Sequence, residues 1–175
     1  LTTQTNAAGA ITGWLYFDAS TRDQEAYDAN GNLLSITDTA GQVTTLTYST
    51  ASTPGIVAPS AGLLLTVTDP RGRSLNFTYN AQGDVASVTQ PDGGVLGYAY
   101  DTNGNLVTVT YPDTKTRQYV YNESTLTGGT SLPNALTGEI DESGNRFTSI
   151  GYNPQGQATM STLPTASASS SAASM

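Results

Sequence analysis

The chain has 175 residues, 6 Lys and Arg against 14 Asp and Glu, no His, no Cys and a formal net charge of −8. That inventory excludes Ser-His-Asp triads, Cys-His dyads, CxxC redox pairs, Cys/His zinc sites and disulfides. A single lysine, Lys115, and a few arginines leave no basic patch for nucleic acid or anionic lipid.

Charged residues make up 11% of the chain, against about 25% in an ordinary soluble domain. Thr (29), Ser (17), Asn (11), Gly (18) and Tyr (10) take their place. Leu, Ile, Val and Phe are scarce enough to approach a disordered composition, but ten tyrosines and a modest net charge argue for a fold. Apolar stretches such as Leu63-Leu64-Leu65 are far too short to cross a bilayer. The first residue is Leu1, not Met, so the absence of a leader-like segment carries no weight.

Taken in chain order, residues 5–26 read as a worn repeat unit with Asn6-Ala7-Ala8-Gly9 in its first turn. Residues 19–30 are the only helix-tolerant stretch, and Asp28 and Gly31 favour a turn there. From there the tyrosines set the organisation. Tyr27, Tyr48, Tyr79, Tyr100, Tyr121 and Tyr152 follow one another at 21, 31, 21, 21 and 31 residues. The long steps are one 21-residue unit plus an insertion, near 49–60 and 122–134, both rich in Ser, Thr, Pro and Gly.

Two turn signals mark each complete unit. The first follows the tyrosine: Asp28 with Gly31, Asn80 with Gly83, Asp101 with Gly104, Asn153 with Gly156. Asp or Asn can bond its own backbone two residues on, and Gly supplies a positive φ. The second signal comes further along: Asp38 with Gly41, Asp69 with Gly72, Gln90 with Gly93, Asp141 with Gly144, and a degenerate Tyr111-Pro112-Asp113 without glycine. Between turns the residues alternate. Leu46, Phe77, Tyr98, Tyr119 and Ile150 stand two places before a tyrosine, and Leu34/Ile36, Leu65/Val67, Ala86/Val88 and Val107/Val109 share a face on the other strand. Period-two alternation bounded by Asp/Gly turns predicts short strands with one buried face. The expected fold is all-β: about six two-stranded repeats over residues 1–162, roughly 10–13 strands in a curled or spiralling antiparallel sheet. Residues 163–175 read as a low-complexity Ser/Ala tail.

The Tyr-Asp-x-x-Gly-x-Leu units in register resemble the Rhs/YD-repeat family, most strongly over residues 64–121, with weaker likeness over most of 5–160. The stretch Leu132–Phe147 also resembles a segment of bacterial Rhs cores. The family includes bacterial polymorphic toxins, shells of insecticidal toxin complexes and teneurins. The resemblance implies hairpins stacked into a long spiralling sheet that, in complete members, forms a hollow shell around a toxic domain. It implies a secreted or extracellular bacterial setting and a structural role, not an enzyme. Self-releasing members carry a DPxGL-like run. Here Asp69-Pro70-Arg71-Gly72-Arg73 departs from it and sits mid-chain, which speaks against autoproteolysis.

This length suits a segment of a longer shell or a unit that assembles with copies of itself through its sheet edges, filaments included. Lacking lysines, those edges have little protection against pairing. The alternative use is an extracellular module that binds a glycan on its tyrosine face and inserted loops, although packing is the simpler role for tyrosines at the structural period. Asp101-Thr102-Asn103-Gly104-Asn105 lacks the spacing and the closing Glu of a calcium loop, and Asp141/Glu142 have no base or nucleophile converging on them. No cofactor, metal, nucleic acid or membrane insertion is expected.

Overall fold

The structure, a computed structural model, describes residues 1–163. Its elements are β1 Thr2–Thr5, β2 Ile11–Phe17, β3 Gln24–Asp28, β4 Leu33–Thr37, β5 Val43–Tyr48, β6 Leu64–Thr68, β7 Ser74–Tyr79, β8 Val85–Thr89, β9 Val95–Tyr100, β10 Leu106–Thr110, β11 Thr116–Tyr121, β12 Leu136–Ile140, β13 Arg146–Tyr152 and β14 Ala158–Thr162. They form one open 14-stranded antiparallel sheet in chain order. The helix-tolerant stretch contains β3, so packing in the sheet overrides local propensity there. Fourteen strands exceed the expected number. Polarity alternation misses β1, which holds no apolar residue, and barely marks β14, whose one large apolar side chain is Met160. The expected tail lies outside the described residues, except for Leu163.

The chain divides into two compact units, Leu1–Leu96 and Gly97–Met175. In the first, the register pairs Ile36 with Thr44, Leu46 with Val67, Val67 with Leu75 and Phe77 with Val88, so the apolar residues occupy one face. The other face is a ladder of hydroxyls and amides: Thr66 to Asn76 at 3.2 Å, Thr68 to Ser74 at 2.8 Å and Thr78 to Ser87 at 2.6 Å. In the second unit Tyr98 pairs with Val109, Val109 with Arg117, Tyr119 with Glu139 and Ile150 with Ser161.

The apolar face is shared as expected, but it is mostly half-buried. Among the described residues, the buried apolar side chains are Ala58 and Val109, while Leu34, Val43, Leu75 and Val95 are exposed. A domain core ordinarily lies between two packed layers; here the strands of each unit form a single layer. The hydrogen-bond ladder and the repeated turns therefore carry much of the order.

Candidate functional site: the tyrosine ladder, its turns and two inserted loops

The turn residues bond as their identities dictate. The Asp28 carboxylate accepts from the amides of Asn30 and Asn32 at 2.8 and 2.9 Å and from the Asn32 side chain at 2.8 Å. Asp101 repeats all three contacts with Asn103 and Asn105. Asn80 and Asn153 use their side-chain oxygen in the same way, and each joins the residue four places on, Asp84 or Gln157. The second turns copy the design: Asp38, Asp69 and Asp141 each accept from the amides two and four residues on. Gly31, Gly72, Gly83, Gly104, Gly144 and Gly156 all have positive φ. At the degenerate turn Thr114 occupies the glycine place at φ 69°. A β-branched side chain there is strained. These bonds hold the carboxyls of Asp28, Asp69 and Asp101 below the ordinary aspartate value; the main causes are the Asn32 side chain, the Arg73 amide and the Asn105 side chain.

Every aligned tyrosine sits at a β-bulge. Tyr27 pairs with Leu33, Tyr48 with Leu64, Tyr79 with Val85, Tyr100 with Leu106, Tyr121 with Leu136 and Tyr152 with Ala158, each beside a register shift. One residue is left over on the following strand each time: Leu34, Leu65, Ala86, Val107, Thr137 and Thr159. The tyrosine hydroxyl then reaches back across the preceding strand. Tyr48 donates to the Leu33 carbonyl at 3.0 Å, Tyr79 to Leu64 at 2.7 Å, Tyr121 to Leu106 at 3.0 Å and Tyr152 to Leu136 at 2.9 Å. Each accepting carbonyl belongs to the residue that pairs with the previous tyrosine, so each hydroxyl closes the bulge one unit back. Tyr27 differs: its hydroxyl donates to Glu25. Period-two reasoning missed the bulges. Their visible signal is a pair of adjacent apolar residues at a strand start, as in Leu33-Leu34, Leu64-Leu65 and Leu106-Val107.

The two insertions are built alike. Val57 and Ala58 donate to the Pro54 carbonyl, and Leu126 and Thr127 donate to the Glu123 carbonyl, so each insertion forms one helical turn. Each turn then offers a carbonyl to a tyrosine amide: Tyr79 donates to Val57 at 2.9 Å and Tyr152 to Leu126 at 2.6 Å. Ala58 and Thr127 are the buried residues at the equivalent place. In the second insertion Arg146 clamps Glu123 at 2.6 Å and also reaches the Thr137 carbonyl at 2.9 Å and the Ser149 hydroxyl at 2.7 Å. The Arg146 contact holds the Glu123 carboxyl below its usual range.

A charged cluster interrupts the apolar face of the second unit. Arg117 lies 3.0 Å from Glu142 and 3.7 Å from Glu139, with its guanidinium 5.7 Å from the centre of the Phe147 ring. Phe147 is itself the extra residue of a bulge between β12 and β13. Asp141 holds a turn while Glu142 faces Arg117, so the neighbouring carboxylates have separate structural partners. A cleft of about 440 Å3 opens beside Tyr111, Pro112, Lys115 and Glu142. Another of about 420 Å3 lies against Tyr48, between Asn30, Asn32 and the Ala61-Gly62 end of the first insertion. In the second unit the corresponding asparagine, Asn105, bonds the insertion directly at the Pro133 carbonyl, 2.9 Å away. Among the described residues, no group of three acidic side chains is placed to hold a metal ion.

The family model for the RHS Repeat matches residues 27–52, 60–95 and 79–116, which contain four of the bulge tyrosines. The chain belongs to the Rhs/YD-repeat family. Solved structures similar to this Rhs-repeat chain include the TcdB2-TccC3-Cdc42 crystal structure, at 14% identity and a TM-score of 0.45 over 93% of this chain. The Tc holotoxin pore of Photorhabdus luminescens is similar at 14% identity and a TM-score of 0.39 over 91%. The chain spans 12% and 11% of those two chains. No curated protein matches it.

Proposed function

We propose that this Rhs-repeat segment is a wall element of a secreted bacterial shell or scaffold, a stretch of sheet built to be continued at both edges. One observation carries the reading: the tyrosine-to-bulge bond recurs from unit to unit, so each repeat completes the one before it and leaves its own bulge for the next. Such a device serves propagation of a sheet, not a reaction centre. Mass spectrometry of the protein from its native source tests it. Residues 1–175 should lie within a longer repeat chain or within an isolated multimer of this one. A native monomer ending at Met175 would overturn the reading.

The cleft beside Tyr48 favours a second use, the binding of a neutral glycan. It combines an aromatic ring with Asn30, Asn32 and Thr50, and it includes no cationic side chain. Tyrosine fluorescence should then respond to sugars in a Tyr48-dependent way. A flat glycan-array profile would remove this use.

A further inference from the structure

The two insertions are built alike but meet the turn beside them differently. In the second unit the Asn105 side-chain amide donates twice, to Asp101 at 2.9 Å and to the Pro133 carbonyl at 2.9 Å. In the first unit Asn32 repeats the bond to Asp28 at 2.8 Å, and its second amide hydrogen finds no acceptor among the described residues. The residue corresponding to Pro133, three places before the leucine that faces the tyrosine, is Ala61. Its carbonyl takes no donor among the described residues. Asn32 and Ala61 both line the cleft of about 420 Å3 beside Tyr48.

The buried Ser49 holds that cleft open by gripping the chain on either side of Ala61. Its hydroxyl donates to the Ser60 carbonyl at 2.7 Å and accepts from the Leu63 amide at 2.8 Å, and its backbone bonds Gly62 and Leu63. Ala61 cannot drop onto Asn32 without breaking these bonds. A donor on the turn side and an acceptor on the insertion side, both unused, call for a ligand that supplies the complement of each. The rest of the lining narrows its chemistry. Leu34, Leu46 and the Tyr48 ring give an apolar wall. The Asp28 oxygens are committed to the turn, and no cationic side chain lines the cleft, so an anion has no counter-charge there.

Resting on the glycan reading of this cleft given above, we propose that its ligand is a neutral sugar bearing an N-acetyl group, a 2-acetamido hexose unit. The acetamido carbonyl accepts from the Asn32 side chain, its N–H donates to the Ala61 carbonyl, and its methyl lies against Leu34 and Leu46, with the sugar ring on Tyr48. A sugar hydroxyl also donates and accepts, but it brings no apolar group to that wall; the acetamido group brings all three. The chain holds its own precedent, because Asn105 at the equivalent place binds an amide carbonyl. That bond occupies the corresponding groups of the second unit, so one site per chain is expected.

The test titrates the chain of residues 1–175 with N,N′-diacetylchitobiose and with cellobiose, neutral disaccharides of the same linkage that differ in the acetamido groups. Calorimetry should give one site that prefers diacetylchitobiose by about tenfold or more. Equal binding of the two overturns the proposal and leaves the glycan reading standing; binding of neither overturns both. Asp28→Asn with Asn32→Asp recreates the turn that Asn80 and Asp84 form in this chain at 3.1 Å, and removes the side-chain donor at position 32. With an unchanged circular dichroism spectrum, this variant should bind diacetylchitobiose about tenfold more weakly. Parental affinity in the variant overturns the role of Asn32. A blocked peptide, N-acetyl-leucine amide, separates the amide's two sources. Tighter binding of the peptide than of diacetylchitobiose would make the cleft a peptide site, against the proposal.

Discussion

The Tyr121 hydroxyl donates to the Leu106 carbonyl, 3.0 Å away and 15 residues back. Leu106 is the residue that Tyr100 faces at its bulge, so this bond ties one repeat to the preceding one. Removing the hydroxyl leaves a half-buried carbonyl without its donor. Tyr121→Phe should therefore cost about 1–2 kcal/mol, read as a lower urea midpoint with an unchanged slope. Tyr27→Phe is the control. The Tyr27 hydroxyl bonds Glu25 within its own strand instead of a bulge carbonyl, and its loss should have the smaller effect. Equal midpoints for the two variants would remove the clamp from the account of stability.

The turns give a matched pair of opposite sign. Gly104 has φ 80° and open space where a side chain would stand, so the penalty for Gly104→Val comes from the backbone alone. Its expected size is about 1 kcal/mol or more. At the degenerate turn Thr114 already bears that penalty at φ 69°. Thr114→Gly should raise stability by about 0.5–1 kcal/mol, less the entropy that glycine adds to the unfolded chain. Thermal unfolding of both variants beside the parent checks the pair, and a loss of stability in Thr114→Gly would contradict it.

These turns were legible because Asp, Asn and Gly act locally: Asp101 bonds amides two and four residues away, within the reach of a spacing argument. The alternation that marked Leu46 and Val67 as apolar-face residues was equally readable, and the structure pairs the two. The bulges were not, since a left-over residue such as Leu65 becomes visible only when the partner strand fixes the register. Nor could spacing reveal that Val57 and Leu126, nine and five residues past their tyrosines, make the same bond to a tyrosine amide. The two insertions differ in length and sequence, and their likeness lies in backbone hydrogen bonds. The Arg117 cluster was hidden for a related reason: Glu142 is 25 residues away, and β12 brings it alongside.

Acid should weaken the fold through the turn carboxylates. Asp28, Asp69 and Asp101 all have folded-state values below the ordinary one, for the hydrogen-bonding reasons given above. A depressed folded pKa means stability fully present above the unfolded value of about 3.9 and lost as pH falls through the folded one. The urea midpoint should hold near neutrality and drop as pH falls below that value. The variant carrying Asp28→Asn, Asp69→Asn and Asp101→Asn keeps the acceptor oxygen, as Asn80 and Asn153 do in this chain. It should fold at pH 7 and show a shallower acid decline. An unaltered decline would place the acid sensitivity elsewhere, first at Glu123 and Glu142 beside their arginines.

Thr127 is fully buried, and its hydroxyl finds no hydrogen-bond partner among the described residues. Its counterpart in the first insertion is Ala58, which is buried at the same point of an identical helical turn with no polar atom to satisfy. The hydroxyl is therefore not needed by the motif, and its desolvation is uncompensated. Thr127→Val keeps the volume and removes the polar atom, so stability should rise, by up to about 1–2 kcal/mol. Thr127→Ala reproduces the first insertion but leaves a small void, and should fall between the parent and the valine variant. Differential scanning calorimetry of the three proteins gives the order. A lower melting temperature for the valine variant would show that the hydroxyl has a partner in solution and that the second insertion departs from the first at this point.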